Sequence, residues 1–289
     1  MLIYILSRHS KSYSTSRLFE AAKNKGHRVR IIDHMQCELK IGYESHIYYQ
    51  GEKLEKPDYI IPRIGASATF YGSNVVRQFE MMKVKTVVSA EGLLKSRDKL
   101  RASQNMVYND IEVPKTYFPS PKQDNFEYMI NQVGGIPLIV KLLEGTQGTG
   151  VYLLENKSEA RQLLNKFNQE KINYLLQEYI EESKGMDVRA FVVGGKVIAA
   201  MKRIALSGEF RSNIHRGGRG EKVELSKAEE FLAVKTARIL KLDVAGVDIL
   251  QSKRGPLILE INSSPGLEGI EKYTNIDIAN AIIEQIESF

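Results

Sequence analysis

Residues 244–270 read VAGVDILQSKRGPLILEINSSPGLEGI, and both apolar runs in this stretch carry acids where a buried strand has little use for them. VDIL and LILEIN flank the polar SKRGP, which predicts a β-hairpin. A three-residue loop, Lys253-Arg254-Gly255, places glycine where φ > 0 is preferred, and in that register Asp248 falls directly opposite Glu260. Directly opposed Cβ atoms lie about 4.5–5.5 Å apart, and like charges there repel. Period-two alternation sets Asn262 on the same face as Glu260. Two carboxylates and an amide oxygen around one point form a hard-oxygen set of the kind Mg²⁺ takes, with substrate phosphates and water completing the shell. A shifted register that turns both acids to solvent is the competing arrangement.

The next stretch upstream with legible chemistry is VKLLEGTQGTGVYLL, residues 140–154. It lacks the Lys-Ser/Thr of a Walker loop, and strand-like runs flank its glycines, so the loop is expected to join antiparallel strands. Gly145, Gly148 and Gly150 would let backbone amides approach phosphate oxygens closely, and Lys141 would aim its ammonium at the same anion. An edge-strand lysine before an ordinary turn is the alternative. In residues 175–203, LLQEYIEESKGMDVRAFVVGGKVIAAMKR, the VGGK turn predicts a two-residue hairpin that sets Asp187 near Lys202 and puts Asp187, Arg189 and Phe191 on one face. The QEYI edge, Gln177 to Ile180, offers backbone groups to a purine, and Asp187 could meet ribose hydroxyls or pair with Lys202. Residues 207–222, SGEFRSNIHRGGRGEK, supply Arg211, Ser212, Asn213, Arg216 and Arg219; arginine forks bind carboxylate or phosphate, although a solvated basic loop has the same composition.

The chain has 289 residues, 43% hydrophobic and 26% charged, enough for two or three packed domains. Its formal charge of +6 suits a site that handles polyanions or acidic peptides, and a scatter of surface lysines equally. The single cysteine, Cys37, rules out an internal disulfide and a cysteine-based zinc site. The opening MLIYILSRHS meets Arg8 too early for a signal peptide and no stretch reaches membrane-spanning length, so a cytoplasmic protein is expected. Strand, helix and strand signals at Ile3–Leu6, STSRLFEAAKNKG and HRVRIID make a βαβ opening and predict a parallel sheet. A hairpin-like insert at HIYYQGEKL follows, then a strand DYIIPR, a helix across NVVRQFEMMK and a strand TVVS. The first strand is not followed by G-x-G-x-x-G, so a dinucleotide-binding reading lacks its phosphate loop. A single long helix is expected from Glu91 to Asn109, and beyond it hairpins alternate with helices at SEARQLLNKFN and AEEFLAVKTARILK, an α+β pattern.

Taken in order, Lys99 in RDKL, Lys141, EGTQGTG, QEYI, Asp187, FRSNIHRGG and VDIL…LEINSSPGLEGI resemble the ATP-grasp superfamily. IPRIGASATFYG and VRQFEMM extend the resemblance through the N-terminal part and narrow it to RimK-type ligases, which add glutamate to the C-terminus of a small-subunit ribosomal protein. The resemblance implies an α/β and α+β ATP-grasp fold with a Rossmann-like βαβ pre-ATP-grasp domain over 1–94, a central lid subdomain over 95–186 and a C-terminal subdomain over 187–289. It implies ATP as cosubstrate, held by Lys99, Lys141, the glycines 145, 148 and 150, Gln177, Glu178, Tyr179, Ile180, Asp187, Arg211, Ser212 and Asn213. Two Mg²⁺ ions, replaceable by Mn²⁺, would sit on Asp248, Glu260 and Asn262, and Arg203, Arg211 and Asn213 would act on the reacting groups. Implied partners are glutamate, the acidic ribosomal-protein terminus and further copies of the chain, with no membrane and no required nucleic acid. A small-molecule acceptor, or free poly-glutamate as product, is the alternative within the same superfamily.

Overall fold

The computed structural model describes residues 1–143, 150–206, 209–212 and 217–288. Four parallel strands begin it, in the spatial order Arg28–Ile32, Leu2–Leu6, Tyr59–Pro62, Lys85–Thr86. Every residue of Leu2–Leu6 is buried, as a central parallel strand covered on both faces requires. Arg28–Ile32 alternates between exposed and half-buried positions until Ile32, the pattern of an edge. The hairpin insert is a three-stranded antiparallel sheet, Cys37–Lys40, His46–Tyr49 and Glu52–Lys53. Its second turn, Gln50-Gly51, has φ of 56° and 80°, the left-handed pair that matches strand twist.

Two sequence expectations fail here for local reasons. The long helix over 91–109 is two helices, Ala90–Arg97 and Lys99–Tyr108, because Asp98 leaves the helical region (ψ 104°) and its carboxylate caps the second helix by accepting from Arg101 N at 2.9 Å. The TVVS strand keeps only Thr86, as the end of Lys85–Thr86: Val87 O accepts from Asp243 N and Val244 N, and Val88 bridges Leu242, so the chain leaves the parallel sheet to meet the C-terminal one.

A four-stranded antiparallel sheet, ordered Val151–Leu154, Leu138–Leu142, Tyr174–Glu178, Thr116–Tyr117, carries helices Phe126–Gln132 and Lys157–Gln169. Ala160, Leu164 and Phe167 form the buried stripe of the second helix and join Ile130, Leu138 and Val140 in a separate core. The five-stranded antiparallel sheet runs Arg219–Lys222, Lys196–Ile204, Met186–Val193, Val244–Ser252, Gly255–Asn262. Its core is continuous with that of the N-terminal sheet. Gly92 fixes one approach: a Cβ there would lie 2.5 Å from Leu240 O, so the helix Ala90–Arg97 sits directly on that backbone. Among the described residues no helix is long and apolar enough to cross a membrane.

Candidate active site

Four strands of the five-stranded sheet bring one row of charges together. Asp187 stands opposite Arg203, Arg189 opposite Asp248, and Asp248 opposite Glu260, with Asn262 opposite Gly246. The expected pairing of the two acids is present, but the turn that makes it differs. Ser252 pairs with Gly255, so the loop is the two residues Lys253-Arg254, and a bulge that leaves Leu259 unopposed shifts the register by one to bring Glu260 back to Asp248. In the neighbouring hairpin a bulge at Ile198 has the opposite consequence for the expectation: Asp187 faces Arg203, not Lys202, which pairs with Val188 and Glu221. The side chains confirm the register.

Arg189 grips Asp248 in a fork, Nε to Oδ1 and Nη2 to Oδ2, both 2.7 Å. Arg203 bridges the two aspartates, with Nε to Asp187 Oδ1 at 2.6 Å and Nη2 at 2.7 Å from Oδ2 of both Asp187 and Asp248. The Ser212 hydroxyl adds a short hydrogen bond to Asp187. Asp248 is fully buried; burial pushes its carboxyl up, but Arg189 and Arg203 outweigh this and hold it well below the usual carboxylate range. Burial likewise opposes the Arg203 charge, and Asp248 and Asp187 more than compensate, lifting its guanidinium above the ordinary value. Asp187 moves the other way: burial exceeds the pull of Arg203, the Asp248 charge adds to it, and the carboxyl is raised. Glu260 keeps contact with solvent, yet the protein crowded about it, together with Asp248, raises its carboxyl against the attraction of Lys141 and Arg189.

Lys141 enters from the separate four-stranded sheet, where it pairs with Val151 and Leu175. Desolvation pulls its ammonium down to about 8, opposed by the attraction of Glu260. Lys99, at the start of the helix that Asp98 caps, donates to Leu143 O at 3.1 Å, and burial lowers its ammonium too, again against Glu260. Gly150 closes the described end of the glycine stretch at φ +75°, with Leu142 N donating to its carbonyl at 2.8 Å. Gly145, Gly148 and Asn213 lie outside the described residues.

The QEYI edge is held from both sides. Gln177 donates to the Thr116 hydroxyl at 3.0 Å, and the Glu178 carboxylate takes both Arg254 nitrogens at 2.8 and 2.6 Å and Lys115 N at 3.0 Å. The hairpin tip thus clamps the edge and takes up the Glu178 carboxylate. Ile180 is buried, and the Tyr179 hydroxyl is buried without a hydrogen-bond partner among the described residues. Arg211 forks onto Glu209, Nε and Nη2 each at 2.8 Å, and lies 5.0 Å from the centre of the Phe210 ring.

The donor set fits a hard divalent cation. A carboxylate offers about four lone-pair positions, and the arginines occupy three on Asp248, one at Oδ1 and two at Oδ2. Among the described residues one remains at Oδ1, with Glu260 on the facing strand, and Asn262 Oδ1 accepts from Ser264 N at 2.9 Å. Like charges facing each other across adjacent strands need a cation or a proton between them, and the raised Glu260 carboxyl is the same demand in another form.

Sequence reasoning sets Arg189 on the right face without giving it a role, and misses Arg63 and Arg97. An arginine inside the apolar run DVRAFVV is the available signal, since a buried strand charge needs an opposite partner across the ladder. Arg63 and Arg97 carry no such mark, because the carbonyls they meet, Pro265 O and Ile64 O, come from segments distant in sequence.

The family model described as RimK-like ATP-grasp domain matches residues 96–286, and that described as RimK PreATP-grasp domain matches residues 1–93. Relatives from Aliivibrio fischeri (strain MJ11) and Picosynechococcus sp. (strain ATCC 27264 / PCC 7002 / PR-6), each named probable alpha-L-glutamate ligase, are 52% identical over 288 residues, covering 99% of this chain and 95% of theirs. The ATP-grasp ligase PsnB, solved with a phosphomimetic variant of its minimal precursor, Mg and ADP, superposes with a TM-score of 0.75 at 19% identity, over 99% of this chain and 97% of that one. A RimK domain ATP-grasp protein from Sphaerobacter thermophilus DSM 20745 gives 0.73 at 18% identity, over 99% and 100%. At these identities the two structures establish the shared fold. The family models span nearly the whole chain, and with the close relatives they make it a member of the RimK-like ATP-grasp family, an ATP-dependent carboxylate–amine ligase with a pre-ATP-grasp domain at its N-terminus.

Proposed function

We propose that this ligase adds glutamate to the acidic C-terminus of a small-subunit ribosomal protein through an acyl phosphate, releasing ADP and phosphate. The observation that carries the reading is the charge row Asp187–Arg203–Asp248–Arg189 set against Glu260, Asn262 and Lys141. It is an array of aligned cations and acids in front of which phosphate oxygens can be held without reorganisation. The relatives' name supports glutamate as the amine, and the precursor peptides with which PsnB and the macrocyclase MdnC were solved support a peptide as the other substrate.

Lys99 and Lys141 would hold the ATP phosphates, under the glycine stretch that includes Gly145, Gly148 and Gly150. The main chain from Gln177 to Ile180 would meet the adenine, and Asp187 the ribose through the lone pair that Arg203 and Ser212 leave free. Asp248, Glu260 and Asn262 would hold Mg²⁺, two ions or Mn²⁺ in its place, drawing charge from the phosphate oxygens. An acceptor carboxylate oxygen attacks the γ-phosphorus, the bond to the β-phosphate oxygen breaks, and ADP leaves. Arg203, fixed by two aspartates, stabilises the negative charge of the transferring group, as would Arg211 and Asn213 from the basic loop. The glutamate amine then attacks the acyl carbon, phosphate departs with the former carboxylate oxygen, and the amine loses a proton as the amide forms. Water must be kept from the acyl phosphate during this interval.

Intact-mass analysis of the ribosomal protein after incubation with enzyme, Mg-ATP and glutamate tests the acceptor. A ladder of glutamyl additions with ADP release supports the reading; ADP release stimulated by glutamate without a ladder removes the ribosomal protein as acceptor and leaves small molecules or free glutamate.

A further inference from the structure

The parallel N-terminal sheet has a switch point between Leu2–Leu6 and Tyr59–Pro62, where the chain first passes to one side and then to the other. Crevices outside the carboxyl ends of strands at such a point are where open α/β sheets bind ligands. Here the first strand leads into Ser7-Arg8-His9 and Tyr59–Pro62 leads into Arg63. Among the described residues Arg8 donates to the Ser67 hydroxyl at 2.8 Å, Arg63 to Pro265 O at 2.8 Å, and Arg97 to Ile64 O at 2.7 Å. None of the three forms an ion pair among the described residues, although each carries a full charge in or beside a protein wall. Burial and the neighbouring Arg97 push the Arg63 guanidinium down to about 10.

The crevice opens toward the charge row. Pro265, held by Arg63, packs over Gly246, where a Cβ would lie 2.9 Å from the proline ring and 3.6 Å from Arg189 Nε. Ser14, in the helix Tyr13–Asn24, accepts from Leu267 N at 3.0 Å, so the start of that helix and the 263–267 segment are in contact. Two hydroxyls in that segment, Ser263 and Ser264, are buried with no hydrogen-bond partner among the described residues, as is Arg97 Nε on the opposite wall. Arg63 and Arg97 stand on the N-terminal side of this contact, and the two serine hydroxyls and Glu260 belong to the C-terminal side.

We propose that this crevice seats the carboxylates of the amino acid being joined, with Arg8 and Arg63 as its anion-binding residues and its amine turned toward Ser263, Ser264 and Glu260. The assignment rests on the glutamate reading above for the identity of that amino acid. A dicarboxylate with an amine at one end complements both walls, and the orientation delivers the amine to the site where the acyl phosphate forms. The acceptor's own acidic terminus offers the same carboxylate chemistry, so the test separates the two.

Arg8 is exposed and its substitution spares the core, whereas Arg63 also holds Pro265; R8Q and R8K are therefore the variants of choice. With ATP and acceptor saturating, R8Q is expected to raise the KM for glutamate about 10- to 100-fold, the size of one charge-assisted fork, with R8K recovering part of the loss. The KM values for ATP and acceptor should show no matching rise. An unchanged glutamate KM, or a rise confined to the acceptor, overturns the assignment. If the wild-type enzyme joins no glutamate, the glutamate reading fails on its own, and calorimetry with glutarate, a dicarboxylate that cannot be joined, decides the crevice. Glutarate binding that is lost in R8Q supports it; binding absent from the wild type, or equal in both proteins, refutes it.

Discussion

Arg203→Met would break the centre of the buried charge row, and the structure sets the size of the effect. The guanidinium makes three hydrogen bonds, two to Asp187 and one to Asp248, and neither aspartate can turn to solvent for relief. After the substitution Asp248 keeps the Arg189 fork, whereas among the described residues Asp187 keeps the Ser212 hydroxyl alone. Breaking a buried pair by removing one partner costs about 3–5 kcal/mol, because the remaining charge is uncompensated. At about 2–4 °C per kcal/mol for a chain of this order of size, Tm should fall by about 6–20 °C. Two of the three lost bonds end on Asp187, so Asp187→Asn added to Arg203→Met should recover the larger share, about 2 kcal/mol or roughly 4–8 °C. The remaining deficit belongs to the bond missing from Asp248. Differential scanning fluorimetry on the single and double variants, read beside Asp187→Asn alone, completes the cycle. A double variant no more stable than Arg203→Met would refute the claim that an orphaned Asp187 charge dominates the cost.

Glu260→Ala should abolish Mg²⁺-dependent turnover with Tm unchanged or raised, since it removes an acid that faces Asp248; retained turnover would reject the metal assignment. For Lys141, whose ammonium burial brings to about 8, the protonated form is the one that holds phosphate, so kcat/KM for ATP should fall as pH rises above about 8, and Lys141→Ala should lower it at neutral pH and flatten that limb. The stability sign is opposite: between about 8 and the ordinary lysine value near 10.5 the unfolded chain holds the proton that the folded chain has released, so this residue's contribution to stability increases with pH through that window. Gly92→Ala should cost about 1–3 kcal/mol in a denaturant melt, because the new Cβ meets the Leu240 carbonyl at 2.5 Å and no rotamer change moves a backbone oxygen; Gly42→Ala, with nothing within 4 Å, is its control.

The alternation of apolar residues with acids makes the Asp248–Glu260 pair legible in the sequence itself, because both strands are otherwise core and an acid there demands a partner. The route to it is not legible. Turn chemistry alone makes one hairpin loop a residue too long, and the Leu259 bulge restores the same pairing; in the other hairpin the expected turn is right, and the Ile198 bulge moves Asp187 from Lys202 to Arg203. Both extra residues are ordinary aliphatics, and nothing in their identity marks a place where two residues oppose one. Asp98 does carry a readable signal against the single long helix: an aspartate three residues before Arg101 is a capping residue as well as a helix surface acid. The arginine crevice belongs to a third kind. Arg8 and Arg63 follow strands of the N-terminal sheet and Arg97 ends the helix Ala90–Arg97, and their partners, Ser67, Pro265 and Ile64, come together by a juxtaposition that no local periodicity encodes.

The central claim, that the charge row serves transfer of a phosphoryl group to a carboxylate before the amide forms, can be followed atom by atom. With the acceptor carboxylate labelled with ¹⁸O, a single turnover in Mg-ATP and glutamate should release phosphate carrying one labelled oxygen, beside unlabelled ADP. Label found in AMP, or amide formed with unlabelled phosphate, would contradict the account.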